Sequence, residues 1–296
     1  MSLKCNNAAG PHPRGRLSSA RKRAGLAPLA QGAYEFFSTL LGYRLARFFV
    51  KVGMMTTLNL RGKVGLVTGS TRGIGRAIAE EMAKAGATVV VSGTRETDVA
   101  RIVEELSASG HRALGSACDV RRYDEVEALM AFAAAEAGGL DILVNNAGIG
   151  LFSPVSEMSP EDWDRVIDTN LTGVFYCSRA AIPHFLKRGG GTMINISSLA
   201  GKNAFAGGAA YNASKFGLEG LSEAMMLDLR YQNIKVAYVM PGSVATEFSG
   251  RASAEGESWR LTAGDVAEVV LDILAQGRRA LASRVELRPF QPPRKG

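Results

Sequence analysis

Cysteine is scarce in this 296-residue sequence. Cys5, Cys118 and Cys177 are odd in number and far apart, which points to reduced intracellular thiols and offers neither a disulfide framework nor a metal-ligand spacing. Histidine is equally sparse: His12, His111 and His184 stand alone, and zinc needs clustered ligands, so no metal is expected. A long apolar run is missing too. The longest candidate is interrupted by Arg44 and Arg47, short of the roughly 20 residues that cross a bilayer.

Acids are nearly absent from the first sixty residues. Residues 1–61 hold ten of the 35 Lys and Arg but only Glu35 among the acids, whereas the remainder carries 25 cations against 27 acids. The alkaline pI of about 9.4 therefore belongs to the N-terminal segment, and a nucleic-acid function loses its main support because the body has no basic excess. Residues 6–32 are rich in Arg, Ser, Ala, Gly and Pro without apolar periodicity, so disorder is expected there. Between Tyr34 and Val52, Phe37, Leu41, Leu45, Phe48, Phe49 and Val52 share one helical arc beside a stripe of Arg44, Arg47 and Lys51, a basic amphipathic helix candidate. Three readings stay open: an extension ahead of a start at Met54 or Met55, a cleaved transit peptide, and a helix lying on a membrane surface. A cytoplasmic protein is expected, with organelle targeting or peripheral attachment left as alternatives. The domain reading is an extension over 1–60, a main domain over 61–288 and an extended Pro- and Arg-rich tail over 289–296.

From Lys63 onward short β-branched runs alternate with longer Ala-rich stretches, which predicts βαβ units around a parallel sheet. Strands are expected at 64–68, 88–92, 113–118, 142–145, 192–196 and 235–239, with an edge strand at 284–287. Helices are expected at 76–85, 97–109, 124–137, 160–188, 211–232 and 263–275. Right-handed crossovers make this an α/β doubly wound three-layer sandwich of the Rossmann kind.

Two motifs carry chemistry. Thr68-Gly69-Ser70-Thr71-Arg72-Gly73-Ile74-Gly75 lies between the first strand and its helix, where glycines allow a tight turn and helix amides can receive a pyrophosphate. Tyr211 and Lys215 are four residues apart, so a phenol and an ammonium share one helix face. Taken alone that spacing is easily reached by chance. The end of the second strand, Ser92-Gly93-Thr94-Arg95, has no acid to bond a ribose 2′-hydroxyl, and Arg72 and Arg95 are available to a 2′-phosphate. NADP(H) is therefore expected over NAD(H).

With these motifs the chain resembles the short-chain dehydrogenase/reductase family over about residues 60–275, most strongly its 3-oxoacyl carrier-protein reductases. The rest of the pattern follows in order: Asp119 after strand three, Asn145-Asn146-Ala147-Gly148 after strand four, Asn170 in Asp-Thr-Asn-Leu-Thr-Gly, Ser198, then Tyr211 and Lys215, and Pro241-Gly242 with Thr246. The resemblance implies a cofactor held by Gly69 to Gly75, Thr94, Arg95, Asp119, Val120, Asn146, Ala147, Gly148, Tyr211, Lys215, Pro241, Gly242, Val244 and Thr246. It makes Tyr211 the acid that protonates a carbonyl oxygen and Lys215 the group that favours the ionised phenol and bonds the nicotinamide ribose. Ser198, preferred to Ser197 for its distance from Tyr211, orients the substrate oxygen. Asn170 is expected to hold a helix distortion and a water that relays protons to Lys215.

The implied function is reversible hydride transfer between nicotinamide and a ketone, with 3-oxoacyl thioesters, free or carrier-bound, as the favoured substrates. A sugar, steroid or small ketone is the enzymatic alternative, and a cofactor-binding regulatory or membrane-associated protein the non-enzymatic one; the intact Asn170, Ser198, Tyr211 and Lys215 set speaks against the latter. The short segment from Ser243 to Thr262, with Phe248, Trp259 and Leu261, suggests a modest lid over an open cleft. Lys187-Arg188 offers charge to an acidic carrier, although a solvated helix end is the favoured reading. A homodimer or homotetramer is implied by the family. The ending Arg284-Val-Glu-Leu-Arg-Pro departs from the glycine-rich strand of many tetrameric members and leaves the usual tetramer contact in doubt.

Overall fold

Seven strands run in one direction in the order β3-β2-β1-β4-β5-β6-β7. The computed structural model describes residues 58–246, 248 and 258–293. The stretch 6–32, the amphipathic segment 34–52, Met54-Met55, much of the expected lid and the last three residues lie outside the described residues.

The strands are β1 (Val64–Val67), β2 (Thr88–Gly93), β3 (Ala113–Ala117), β4 (Ile142–Asn145), β5 (Gly191–Ile196), β6 (Ile234–Pro241) and β7 (Arg284–Leu287). Between them run α1 (Gly73–Lys84), α2 (Glu96–Ala108), α3 (Tyr123–Glu136), α4 (Pro160–Ile167), α5 (Gly173–Lys187), α6 (Ala209–Leu229) and α7 (Ala263–Ala275). Every pairing is parallel, from β2–β3 at one side to β6–β7 at the other. Such a sheet is buried on both faces, which is why its strands read as unbroken apolar runs. Successive residues supply opposite layers: Val89, Val91, Val144, Ile194 and Val239 pack with Ile78, Ile102 and Val270 of α1, α2 and α7. Leu66, Val90, Leu143, Met193 and Val236 pack with Leu129, Phe185 and Met225 of α3, α5 and α6.

Two boundaries differ from the sequence reading. Helix α1 starts at Gly73, three residues before the expected 76, because Gly-Ile-Gly has poor helix propensity and masks the true start. The single helix expected over 160–188 is split: a π-helical turn at Asp168–Thr172 separates α4 from α5. The Asn170 amide inside that turn is tied to the chain outside the helix. It accepts from the Ile149 N–H at 2.8 Å and donates to the Ile149 carbonyl at 2.9 Å.

Asp141 joins three elements just before β4. Its carboxylate accepts from Lys63 Nζ at 2.9 Å, the Val64 N–H at 3.0 Å and Arg188 Nη2 at 3.1 Å. Arg188 is thus held in an ion pair and also bonds the Gly62 carbonyl, so it is not the solvated helix end expected from sequence. Burial opposes ionisation of Asp141, but the bonds from Lys63, Val64 and Arg188 outweigh it and hold the carboxyl below its ordinary range. Asp141→Ala is expected to cost about 2 kcal/mol at pH 7, discounted for the exposure of Lys63. Because the folded-state pKa is lowered, this contribution is present above pH ~4 and lost as pH falls through the lowered value. Urea unfolding of both proteins across that range would check it; equal stabilities at pH 7 would refute it.

Candidate active site

The strand order turns back on itself between β1 and β4, and the crevice outside their C-terminal ends is where α/β folds bind ligands. A cleft of about 720 Å³ lies there. The glycine loop is laced to the end of β4: Thr68 Oγ1 accepts from the N–H groups of Asn146 and Ala147 at 3.0 and 3.1 Å, while Asn146 Nδ2 donates to the Thr68 and Gly69 carbonyls at 2.9 and 3.0 Å. Gly69 has φ +62°, and a Cβ on it would lie 2.9 Å from Ala147 Cα. A Cβ on Gly75 would collide with Asn146 Nδ2 and the Gly69 carbonyl oxygen. Only glycine fits these two places.

Helix α1 has no side-chain cap and no acid in its first turn, unlike α2, α3, α4 and α7, each of which has an acid there. Its positive end borders the cleft through Gly73 and Ile74 and is suited to an anion. A pyrophosphate therefore fits.

Most of the residues expected to hold a cofactor line this cleft: Gly69, Thr71, Arg72, Gly73, Ile74 and Thr94 from one side, and Asp119, Val120, Asn146, Ala147 and Gly148 from the next strands. Pro241, Gly242, Val244 and Thr246 close it after β6. Ser70 does not line it; it is buried, with Oγ donating to the Val67 carbonyl at 2.7 Å. Gly75 likewise serves the packing beneath the loop. Arg95 lines an adjoining cleft of about 370 Å³ with Thr71, Arg72, Thr94, Asp98 and Arg101. The sequence reading missed Asp98, which enters from the first turn of α2 and pairs with Arg95 at 2.6 Å. Arg95 is paired with Asp98 and Arg101 with Glu105 at 2.7 Å; with Arg72 the recess keeps a basic excess, suited to a phosphate. Asp119 is engaged by Arg121, whose hydrogen bonds hold its carboxyl below the ordinary range. That arginine, two residues on, was the available signal for another cleft residue.

Helix α6 brings Tyr211 and Lys215 to the cleft beside Ser198, which ends the segment after β5. Ser198 Oγ accepts from the Ala200 N–H at 3.1 Å, which leaves its own proton available to another partner. Ser197 also borders the cleft, but its Oγ donates to Glu219 Oε1 at 3.3 Å. Lys215 is buried, with Nζ donating to the Ile196 carbonyl at 2.9 Å and lying 5.7 Å from the centre of the Tyr211 ring. Burial lowers the lysine to about 8, opposed by the charge of Glu219. Burial also raises Tyr211 above its ordinary value, although the Ser198 hydrogen bond pulls it back. The Tyr211 ring is packed against Phe152 and Phe248, with centroids 5.6 and 5.7 Å away, and it is this kind of burial that disfavours the charged form.

Asn170 lies behind the cleft, fully buried. Besides its Ile149 bonds it donates to Ser214 Oγ at 3.1 Å, and Ser214 Oγ donates to the Tyr211 carbonyl at 2.8 Å. Asn170 is joined through Ser214 to the helix that carries Tyr211 and Lys215. Among the described residues no group of three or more His, Cys, Asp or Glu could hold a metal ion, and no helix is long and apolar enough to cross a membrane.

Comparison with known proteins gives a consistent result. The profile of the family described as short chain dehydrogenase matches residues 63–257. A 3beta-hydroxysteroid dehydrogenase of Mediterraneibacter gnavus is 38% identical over 217 residues, 73% of this chain and 75% of that one. A 3-oxoacyl-[acyl-carrier-protein] reductase FabG of Staphylococcus aureus is 39% identical over 202 residues, 68% and 82% of the two chains. Among solved structures, a metagenomic short-chain oxidoreductase in complex with NADP superposes with a TM-score of 0.69 at 37% identity, covering 78% of this chain and 99% of that one.

Proposed function

Since this chain belongs to the short-chain dehydrogenase family, whose members are oxidoreductases with a nicotinamide cofactor, we propose that it is an NADPH-dependent carbonyl reductase acting on 3-oxoacyl thioesters, free or carrier-bound. The observation that carries the reaction type is the convergence of Ser198, Tyr211 and Lys215 at one end of the nucleotide-sized cleft. The FabG-type relative supports the thioester substrate. The basic recess of Arg72, Arg95 and Arg101 and the NADP-bound neighbour support the cofactor choice.

The chemistry a reduced nicotinamide supplies when bound is hydride delivery to the carbonyl carbon. In the proposed mechanism Ser198, its oxygen fixed by the Ala200 N–H, donates a hydrogen bond to the substrate oxygen. Tyr211 gives that oxygen its proton as negative charge develops. Lys215 keeps a cation beside the phenol and so favours its ionised form after the proton has left; the phenol regains its proton from solvent. Asn170 holds the π-helical turn and, through Ser214, the register of α6. Phe175 and Leu186 on α5, and Phe216 and Leu227 on α6, are exposed; each pair is eleven residues apart, hence on one stripe of its helix. These stripes support a homodimer or homotetramer.

A pH dependence follows. Lys215, lowered by burial to about 8, is charged below that value and loses its proton as pH rises through it, so kcat/KM for reduction is expected to fall on the alkaline side from about pH 8. Glu219 is the charge that supports the ammonium, and Glu219→Gln is expected to move this limb to lower pH. An unmoved limb would show that the lysine does not set it.

The deciding experiment measures NADPH and NADH oxidation over acetoacetyl thioesters, ketoesters, diketones, sugars and steroid ketones. NADPH turnover with an oxoacyl thioester is expected. Absence of turnover with every carbonyl tested, despite cofactor binding, would refute the proposal.

A further inference from the structure

Three phenylalanines converge on the phenol. Phe152, Phe205 and Phe248 are 46%, 47% and 39% exposed, and they come from three separate segments: the one after β4, the one before α6 and the one after β6. The Phe152 ring centre is 5.6 Å from both Phe205 and Tyr211, and Tyr211 is 5.7 Å from Phe248. The four rings form a continuous row, all tilted or edge-on to their neighbours, at the spacing aromatic groups prefer. The fold makes room for them. A Cβ at Gly150 would stand 2.7 Å from Phe248 Cε1 and 2.8 Å from Phe152 Cζ, and one at Gly208 would stand 2.6 Å from Phe205 Cε2. The Ser153 N–H donates to the Gly207 carbonyl at 2.9 Å, pinning the Phe152 segment to the Phe205 segment.

Phe248 lines the cleft with Tyr211, and Phe152 and Phe205 extend this apolar surface beyond it; leaving that much aromatic surface in water is unfavourable, and exposed apolar surface gathered in one place marks a contact site. Tyr211, whose hydroxyl faces the reacting oxygen in the proposed mechanism, sits within the row between Phe152 and Phe248, so what the row covers adjoins the carbonyl carbon. A methyl group there would leave Phe152 and Phe205 wet. A ring would meet two or three aromatic partners at once.

We infer that Phe152, Phe205 and Phe248 form a specificity pocket for a large, flat apolar group attached directly to the carbonyl carbon, so that aryl or alicyclic oxoacyl substrates are preferred to acetoacetyl ones. This rests on the carbonyl-reductase reading above. It goes further by assigning the substituent on the far side of the carbonyl from the thioester, and it names the residues that select it.

The test compares NADPH-dependent reduction of the N-acetylcysteamine thioesters of benzoylacetate and acetoacetate, which differ only in phenyl against methyl. The intact protein is expected to favour the phenyl compound by at least tenfold in kcat/KM. In Phe152→Ala and Phe205→Ala that ratio should drop about tenfold, toward parity. Phe152→Leu, which keeps apolar volume but loses the flat face, should give an intermediate ratio and guards against an Ala variant that fails to fold. A ratio near one in the intact protein, or a ratio unchanged in all three variants, would overturn the inference while leaving the carbonyl-reductase reading intact. Turnover of neither thioester, with turnover of another ketone, would overturn the thioester substrate together with this inference.

Discussion

Tyr211→Phe is expected to lower kcat for ketone reduction by about 10³-fold, within the range that general acid catalysis contributes, while the Kd for NADPH changes by less than about threefold. The substitution removes one oxygen and keeps the ring. The aromatic row with Phe152 and Phe248 and the α6 anchorage through Ser214 therefore survive. What is lost is the proton donor. Ser198 remains beside the cleft, but its hydroxyl is a far weaker acid than a phenol, and Lys215 is held on the Ile196 carbonyl, away from the substrate oxygen. Steady-state rates with a fluorescence titration of cofactor binding separate the two quantities. A variant that kept more than about a tenth of its turnover would remove Tyr211 from the acid role.

Gly75→Ala is expected to weaken NADPH binding by about 100-fold or more, equivalent to roughly 3 kcal/mol, and to lower the melting temperature. A single methyl would collide with the Gly69 carbonyl oxygen and Asn146 Nδ2, and a backbone carbonyl cannot rotate aside as a flexible side chain would. To relieve the clash, the loop must leave β4, breaking the bonds of Asn146 Nδ2 to the Thr68 and Gly69 carbonyls. The helix amides that suit a pyrophosphate then lose their position. Gly220, with nothing within 4 Å of its Cβ direction, is the control. There an alanine in the interior of α6 should stabilise by about 0.5–1 kcal/mol and leave affinity unchanged. Equal NADPH affinity in the Gly75 and Gly220 variants would refute the steric argument.

Local pattern revealed what is local. The strand and helix alternation was legible because a parallel sheet covered on both faces needs continuous apolar strands, and Val89 to Val91 or Ile142 to Val144 are short, β-branched-rich runs of that kind. The start of α1 was misplaced because glycine hides a helix start. The break at Asp168–Thr172 was invisible to periodicity, since a π-turn is made by what Asn170 binds on another segment, not by its neighbours in sequence. Asn170 itself stood out only through its place in the family pattern.

Charge was less legible than spacing. Arg188 read as a solvated helix end, yet Asp141, 47 residues away in sequence, claims it. Asp98 drew no notice in the sequence, yet it pairs with Arg95 in the recess beside the glycine loop. The raised phenol of Tyr211 was likewise unreadable, because desolvation depends on rings contributed by Phe152 and Phe248.

The sequence by itself determined the order of elements, the glycine loop and the placement of Tyr211 and Lys215 on one helix face, because these depend on spacings of a few residues. Only the tertiary structure decided which serine faces the phenol, which charges are already paired, and which aromatic surface surrounds the reacting hydroxyl. Those depend on groups that meet only after the strands have been laid side by side, where burial and proximity set the chemistry. The Tyr211 to Lys215 pair is a matter of helical period. The Phe152, Phe205 and Phe248 row is a matter of three loops folding onto it.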